Sequence, residues 1–141
     1  MKRQHKFRSL DPLSLYVHIP FCETKCTYCD FNTYSGLEIL IPSYFESICK
    51  EINLWGNLLR KPKIKTVFFG GGTPSYVSYQ FIEKILDSVR DSFDLDTTAE
   101  ITLEANPDDC KRPKLEAYKG LGITRISLGV QSLNDQLLRL L

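Results

Sequence analysis

The chemistry of this sequence concentrates in one short stretch, Cys22-Glu-Thr-Lys-Cys26-Thr-Tyr-Cys29, where spacings of four and three bring three thiols onto one tight loop. Thiolates are soft ligands that suit iron–sulfur clusters or zinc. Three readings follow. A [4Fe–4S] cluster held by three cysteines keeps one iron without a protein thiolate. That iron can take a small molecule, much as a catalytic metal keeps one open position. Structural zinc would need His18 or an acidic residue to complete a tetrahedron, and the sequence has no second Cys/His pair to supply it. Three reduced structural cysteines are the third reading. Cys49 lies between Phe45 and Ile52 on an apolar helical face, which predicts core packing. Cys110 follows Asp108 and Asp109 in a loop with nothing nearby to give it a role, so neither it nor Cys49 is read as a ligand.

Other groups with chemical potential sit where strands are expected to end. Gly70-Gly71-Gly72-Thr73-Pro74 permits positive φ and lets backbone approach a ligand closely. It lacks the Lys-Ser/Thr of a phosphate-binding P-loop. A tight turn is the plain reading, and a backbone contact to a small molecule is the functional one. Glu104, before Ala105-Asn106-Pro107, and Gln131, after Gly129-Val130, are helix-capping or surface groups on one reading and site residues on the other. Tyr16 and His18 lie two apart on one strand and so share a face. Either packs there or lines a pocket.

The elements that would position these groups alternate along the chain. Leu13–Ile19 (LSLYVHI) reads as a strand. Ser43 with Glu46 three residues on suggests a capping box opening a helix over 43–60. A basic, Pro-containing turn over 60–65 leads to a strand at 66–69, apolar enough to be covered on both faces. A helix over 79–93, a strand over 100–104, a short helix over 114–121 with Gly120 and Gly122 as C-cap candidates, and a strand over 125–129 complete the pattern. Ser132 is the expected cap of a last helix carrying Leu133, Leu137, Leu138 and Leu141. Such alternation predicts an α/β fold with a parallel sheet and right-handed crossovers. It fits an open doubly wound sheet or an arc of a (β/α) barrel. In both, chemistry belongs at the carboxyl ends of the strands.

With 141 residues, 43% of them hydrophobic, and a net charge of +1, the composition is that of a globular domain. The balanced charge argues against nucleic acid as the main partner. No apolar stretch approaches the roughly 18–20 residues of a membrane-crossing helix. Residues 1–12 are read as a polar tail, basic through Lys2, Arg3, Lys6 and Arg8, with a mitochondrial presequence as the alternative. No secretory signal follows, which predicts a cytoplasmic, reducing compartment. The core domain is expected over 13–141. It breaks off inside an apolar helical pattern at Leu140 and Leu141, which predicts the first part of a longer protein.

Tyr16-Val-His-Ile-Pro-Phe-Cys22-x3-Cys26-x-Tyr-Cys29 resembles the cluster loop of radical S-adenosylmethionine enzymes. With Phe68-Phe69-Gly-Gly-Gly-Thr-Pro74, Leu103-Glu104-Ala-Asn-Pro107 and Ser127-Leu-Gly-Val-Gln131-Ser-Leu it is similar to the oxygen-independent coproporphyrinogen-III oxidase family, over about residues 13–141. The resemblance implies that the chain holds the first four βα units of a partial (β/α)6 barrel. It implies a [4Fe–4S] cluster on Cys22, Cys26 and Cys29, with S-adenosylmethionine chelated to the free iron. It places Tyr16, Tyr28, Gly71, Gly72, Thr73, Glu104 and Gln131 around that cofactor. The implied chemistry is one-electron reduction of the sulfonium to a 5′-deoxyadenosyl radical. The oxidase branch typically carries another cysteine two residues after the third, and a longer N-terminal extension. Here that position is Phe31, and 15 residues precede Tyr16. Both features are similar to the haem-chaperone branch, which binds haem through a region C-terminal to these residues. Haem delivery would bring a peripheral membrane contact. A decarboxylating coproporphyrinogen oxidase and a zinc-stabilised binding module without catalysis are the alternatives.

Overall fold

A computed structural model describes residues 12–140; the basic stretch and Leu141 lie outside them. Four parallel strands form one sheet in the order β1-β2-β3-β4. They are β1 (Leu13–Ile19), β2 (Lys63–Gly71), β3 (Asp94–Ala105) and β4 (Arg125–Leu128). Helices α1 (Ile41–Leu59), α2 (Tyr79–Ser92) and α3 (Arg112–Leu121) make the crossovers, and a single turn, α4 (Asp135–Leu138), follows β4.

Strand order decides between the two expected architectures. A doubly wound sheet reverses direction at a switch point and covers both faces. Here each strand is added on the same side of the last, so same-handed crossovers leave all three helices on one face. α1 packs on α2, and α2 on α3. The result is an arc of a (β/α) barrel with an outer and an inner face.

The period-two alternation of the strands sorts residues between those faces. Val17, Phe69 and Leu103 stand side by side in register, are at most 4% exposed, and join Phe45, Ile82, Ile85, Leu86 and Val89 of the helices in one core. One position earlier, Tyr16, Phe68, Thr102 and Arg125 form the adjacent inner row. Tyr16 stacks on Phe68 with ring centroids 6.1 Å apart, and Phe68 is half-buried. The expectation that this strand is covered on both faces therefore holds among the described residues only for its outer side.

Local chemistry moves several boundaries. α1 opens at Ile41 after a 3-10 turn over Glu38–Leu40 and takes Pro42 into its first turn. Proline suits that place because its fixed φ and missing N–H cost nothing there. Ser43 is therefore not the N-cap; its hydroxyl donates back to the Leu40 carbonyl at 3.0 Å. The connector after α1 is shorter than the expected turn: Arg60 and Lys61 take φ of 63° and 54°, and β2 starts at Lys63. β3 begins six residues before the expected start, at Asp94. Its register jumps from Leu95, opposite Ile64, to Glu100, opposite Thr66. The Asp96 carboxylate accepts from the Thr98 amide and hydroxyl inside that jump, so polar residues interrupt the alternation without ending the strand. α3 closes on Gly122 at φ 93°, while Gly120 lies inside the helix. Asn134 rather than Ser132 caps α4, accepting from the Gln136 and Leu137 amides. No helix of the described residues is long and apolar enough to cross a membrane.

Candidate functional site

All four strands run in one direction, so their carboxyl ends meet at one rim. The loop after β1 is pinned at both ends. The Tyr34 amide donates to Pro20 O at 2.7 Å, and the Cys22 amide donates to Tyr34 O at 2.9 Å. Phe21 carries that stem into the core and meets Tyr44 edge-on at 5.3 Å. The remaining thiols lie between the pins. Cys22 and Cys29 are half-buried, Cys26 is exposed, and the Cys29 amide closes a turn on Cys26 O at 3.1 Å.

His18 holds the same loop from the strand. Its Nε2 lies 3.0 Å from Asn32 O, a carbonyl that can only accept, so Nε2 carries the proton and donates. Its Nδ1 is engaged by the Tyr16 hydroxyl at 3.0 Å. Both ring nitrogens are engaged within the protein. His18 thereby braces the loop.

The glycine turn after β2 continues the sheet past its last formal pair. The Gly72 amide donates to Ile19 O at 2.8 Å and the Thr73 amide to Phe21 O at 2.9 Å. This draws the turn against the thiol loop until the Thr73 hydroxyl reaches Cys22 Sγ at 3.5 Å. A Cβ at Gly72 would lie 2.8 Å from Phe21 O and 2.9 Å from Cys22 Sγ, so the approach requires glycine. Gly71, at φ 117°, donates its amide to Glu104 Oε2 at 3.2 Å, and a Cβ there would strike the His18 ring. From the fourth strand end, the Gly129 amide reaches Ala105 O at 2.9 Å, and Gln131 takes the left-handed φ of 61°.

These groups border one cleft of about 240 Å³. Cys22, Cys26, Cys29, Tyr28, Gly71, Gly72, Thr73, Glu104 and Gln131 all line it. Tyr16 does not; it stands lower on the inner face, 56% exposed, bonded to His18. Burial first, and then the Glu104 carboxylate, raise its phenol above the ordinary value. A hydrogen bond with Cys26 is the main cause raising the Tyr28 phenol. Asn106, Ser127 and Thr33 also line the cleft. The sequence reading did not single them out, because each is an ordinary turn or strand residue whose place depends on its neighbours' register. Cys49 and Cys110 lie away from the cleft lining, as expected.

Among the described residues, no three His, Cys, Asp or Glu side chains stand together as a ready metal site. The donor set nonetheless fits a thiolate-bound cluster. Three soft donors line the same cleft as the Glu104 carboxylate and the Gln131 side-chain amide.

The comparisons agree with this geometry. Heme chaperone HemW of Escherichia coli is 40% identical over 131 residues, covering 92% of this chain and 35% of that protein. Heme chaperone HemW of Synechocystis is 42% identical over 137 residues, covering 93% of this chain and 33% of that protein. The chain thus spans about a third of the length of the curated relatives it matches. A solved structure of coproporphyrinogen III oxidase (HemN) from Escherichia coli, described as a radical SAM enzyme, superposes with a TM-score of 0.84 at 32% identity. It covers 92% of this chain and 30% of that one. The sequence model of the Radical SAM superfamily matches residues 16–141, nearly the whole chain, and the chain belongs to that superfamily.

Proposed function

We propose that this chain is the cluster- and S-adenosylmethionine-binding part of a cytoplasmic haem chaperone of the radical SAM superfamily. Cys22, Cys26 and Cys29 would hold the [4Fe–4S] cluster. Gly71, Gly72, Thr73, Glu104 and Gln131, with Tyr28 beside Cys26, would contact the cofactor, and Tyr16 would act from the row below. The chemistry such a cluster would supply there, when bound and reduced, is one-electron reduction of the sulfonium. The chain's own residues would bind and orient: Glu104 offers carboxylate charge to a ligand ammonium, the Gln131 side-chain amide offers donors to a carboxylate, and the glycines let the ligand approach the backbone closely. The observation that carries the reading is the single cleft in which the thiol loop faces three other strand ends.

Haem transfer, rather than porphyrin oxidation, is supported by the likeness to the HemW proteins and by Phe31 in place of a fourth nearby cysteine. Anaerobic reconstitution of the full-length protein should give about four iron and four sulfide per chain. Adding S-adenosylmethionine should change the spectrum of the reduced cluster, and haem should bind in stoichiometric amount. Zinc without sulfide in an oxygen-free preparation would overturn the cluster assignment. A second reading, a coproporphyrinogen oxidase, is favoured by the superposition on HemN. Porphyrin formed from coproporphyrinogen by the full-length protein would establish that reading instead.

A further inference from the structure

Behind the glycine turn lies a polar cluster that the cofactor contacts do not use. Ser75 is fully buried, two residues past Thr73. Its hydroxyl donates to Asp109 Oδ2 at 2.7 Å and accepts from the Asn106 amide at 3.1 Å. Its carbonyl accepts from the Lys114 ammonium, which also stands 3.7 Å from Asp109. One residue thus ties three segments together: its hydroxyl joins the turn after β2 to the loop after β3, and its carbonyl joins that turn to the first turns of α3. A buried hydroxyl with both roles filled, next to a paired carboxylate, holds its partners in one geometry.

That geometry sets how the two walls of the cleft meet. The turn carries Gly71, Gly72 and Thr73; the loop follows Glu104 directly. The front link between them is the Gly71 amide on Glu104, at 3.2 Å. The link at the back is the Ser75 cluster, reaching Asp109 across 34 residues of sequence. The thiol loop touches the turn at Thr73 and Gly72, but it is also pinned by its own bonds between Pro20, Cys22 and Tyr34 and by His18 on Asn32. Loosening the back link should therefore disturb ligand contacts while sparing the cluster.

We propose that Ser75 and Asp109 are positioning residues that set the affinity of the cleft for S-adenosylmethionine by locking the glycine turn to the Glu104 loop. This rests on the cofactor-binding role proposed above. The test uses the full-length protein, reconstituted without oxygen. Iron and sulfide are counted, and S-adenosylmethionine is titrated against the spectrum of the reduced cluster. Ser75→Ala should keep parental iron and sulfide and weaken binding about tenfold, the scale on which groups supporting a ligand shell act. Asp109→Ala should do the same, and the double variant should be no weaker than either single one, because both break one link. Asp109→Asn keeps an oxygen acceptor for Ser75 and should restore binding to within about twofold of the parent. Binding within twofold of the parent in both alanine variants, whatever their melting temperatures, would overturn the proposal. Additive losses in the double variant would also overturn it. Should Ser75→Ala fail to fold, the half-buried Asp109 variants decide. A parent that holds the cluster yet ignores S-adenosylmethionine defeats the underlying reading first, and this proposal with it.

Discussion

The two faces of the sheet are made by the same strands and do opposite things. On the outer face Phe69, Leu103, Ile85 and Leu86 are fully buried, and apolar burial supplies the stability. On the inner face Tyr16 and His18 are left with polar partners, and Gly70 and Glu104 stand side by side, with a Cβ at Gly70 falling 2.9 Å from Glu104 Oε2. Neighbouring residues on one strand thus answer to different demands. Val17 lies between Tyr16 and His18, and Leu103 between Thr102 and Glu104. A substitution should move either stability or ligand binding according to the parity of its position. That separation can be broken by experiment.

The largest effect is expected from Cys26→Ala. Cys26 is exposed, so the apo protein should keep its stability to within about 0.5 kcal/mol. Iron and sulfide should nevertheless be lost from the reconstituted full-length protein. Retention of a full iron–sulfur complement would remove the inner rim from the functional account. Phe69→Ala is the mirror case. Truncating a fully buried aromatic side chain should cost about 3–5 kcal/mol in urea unfolding. Any molecules that remain folded should load the cluster as the parent does.

Gly72→Ala sharpens the boundary between the faces. Its Cβ would meet backbone atoms of Pro20 and Phe21 as well as Cys22 Sγ, so the strain falls where β1 enters the thiol loop. Overpacking of this kind should cost about 1–3 kcal/mol. Unlike Phe69→Ala, it should also lower iron content, because Cys22 must give way. A full iron count with unchanged stability would show that the turn is not held against the loop.

This division explains what was legible in the sequence. β1 falls where its β-rich run predicts, and α2 ends one residue before its expected limit, because both carry an uninterrupted apolar period. The first half of β3 was hidden, since Asp96, Thr97 and Thr98 read as a loop and are instead a polar interruption that Asp96 closes on itself. The start of α1 was misplaced, because Ser43 and Glu46 match a capping box while Pro42 had already begun the helix. The cysteine loop, the glycine turn, Glu104 and Gln131 were legible as strand-end groups. The Ser75 cluster was not, because nothing local marks a serine whose partner lies 34 residues away.

The smallest effect tests whether polar chemistry at the rim reaches into the outer core. Tyr118 of α3 is 2% exposed, and its hydroxyl has no hydrogen-bond partner among the described residues. Burial chiefly, with Asp109 and Cys110 adding to it, holds the phenol well above its ordinary range, so the group is a neutral donor at any working pH. A buried polar atom without a partner costs stability, whereas the ring beneath it contributes through packing. Tyr118→Phe removes the first and keeps the second, so it should raise stability by about 1 kcal/mol in urea unfolding of the full-length protein. Cofactor affinity should stay at the parental value, because Ser75 and Asp109 bond to each other without Tyr118. A loss of stability accompanied by weaker binding would mean that the hydroxyl supports Asp109 from below, and the polar rim and the apolar core would then be one structure rather than two.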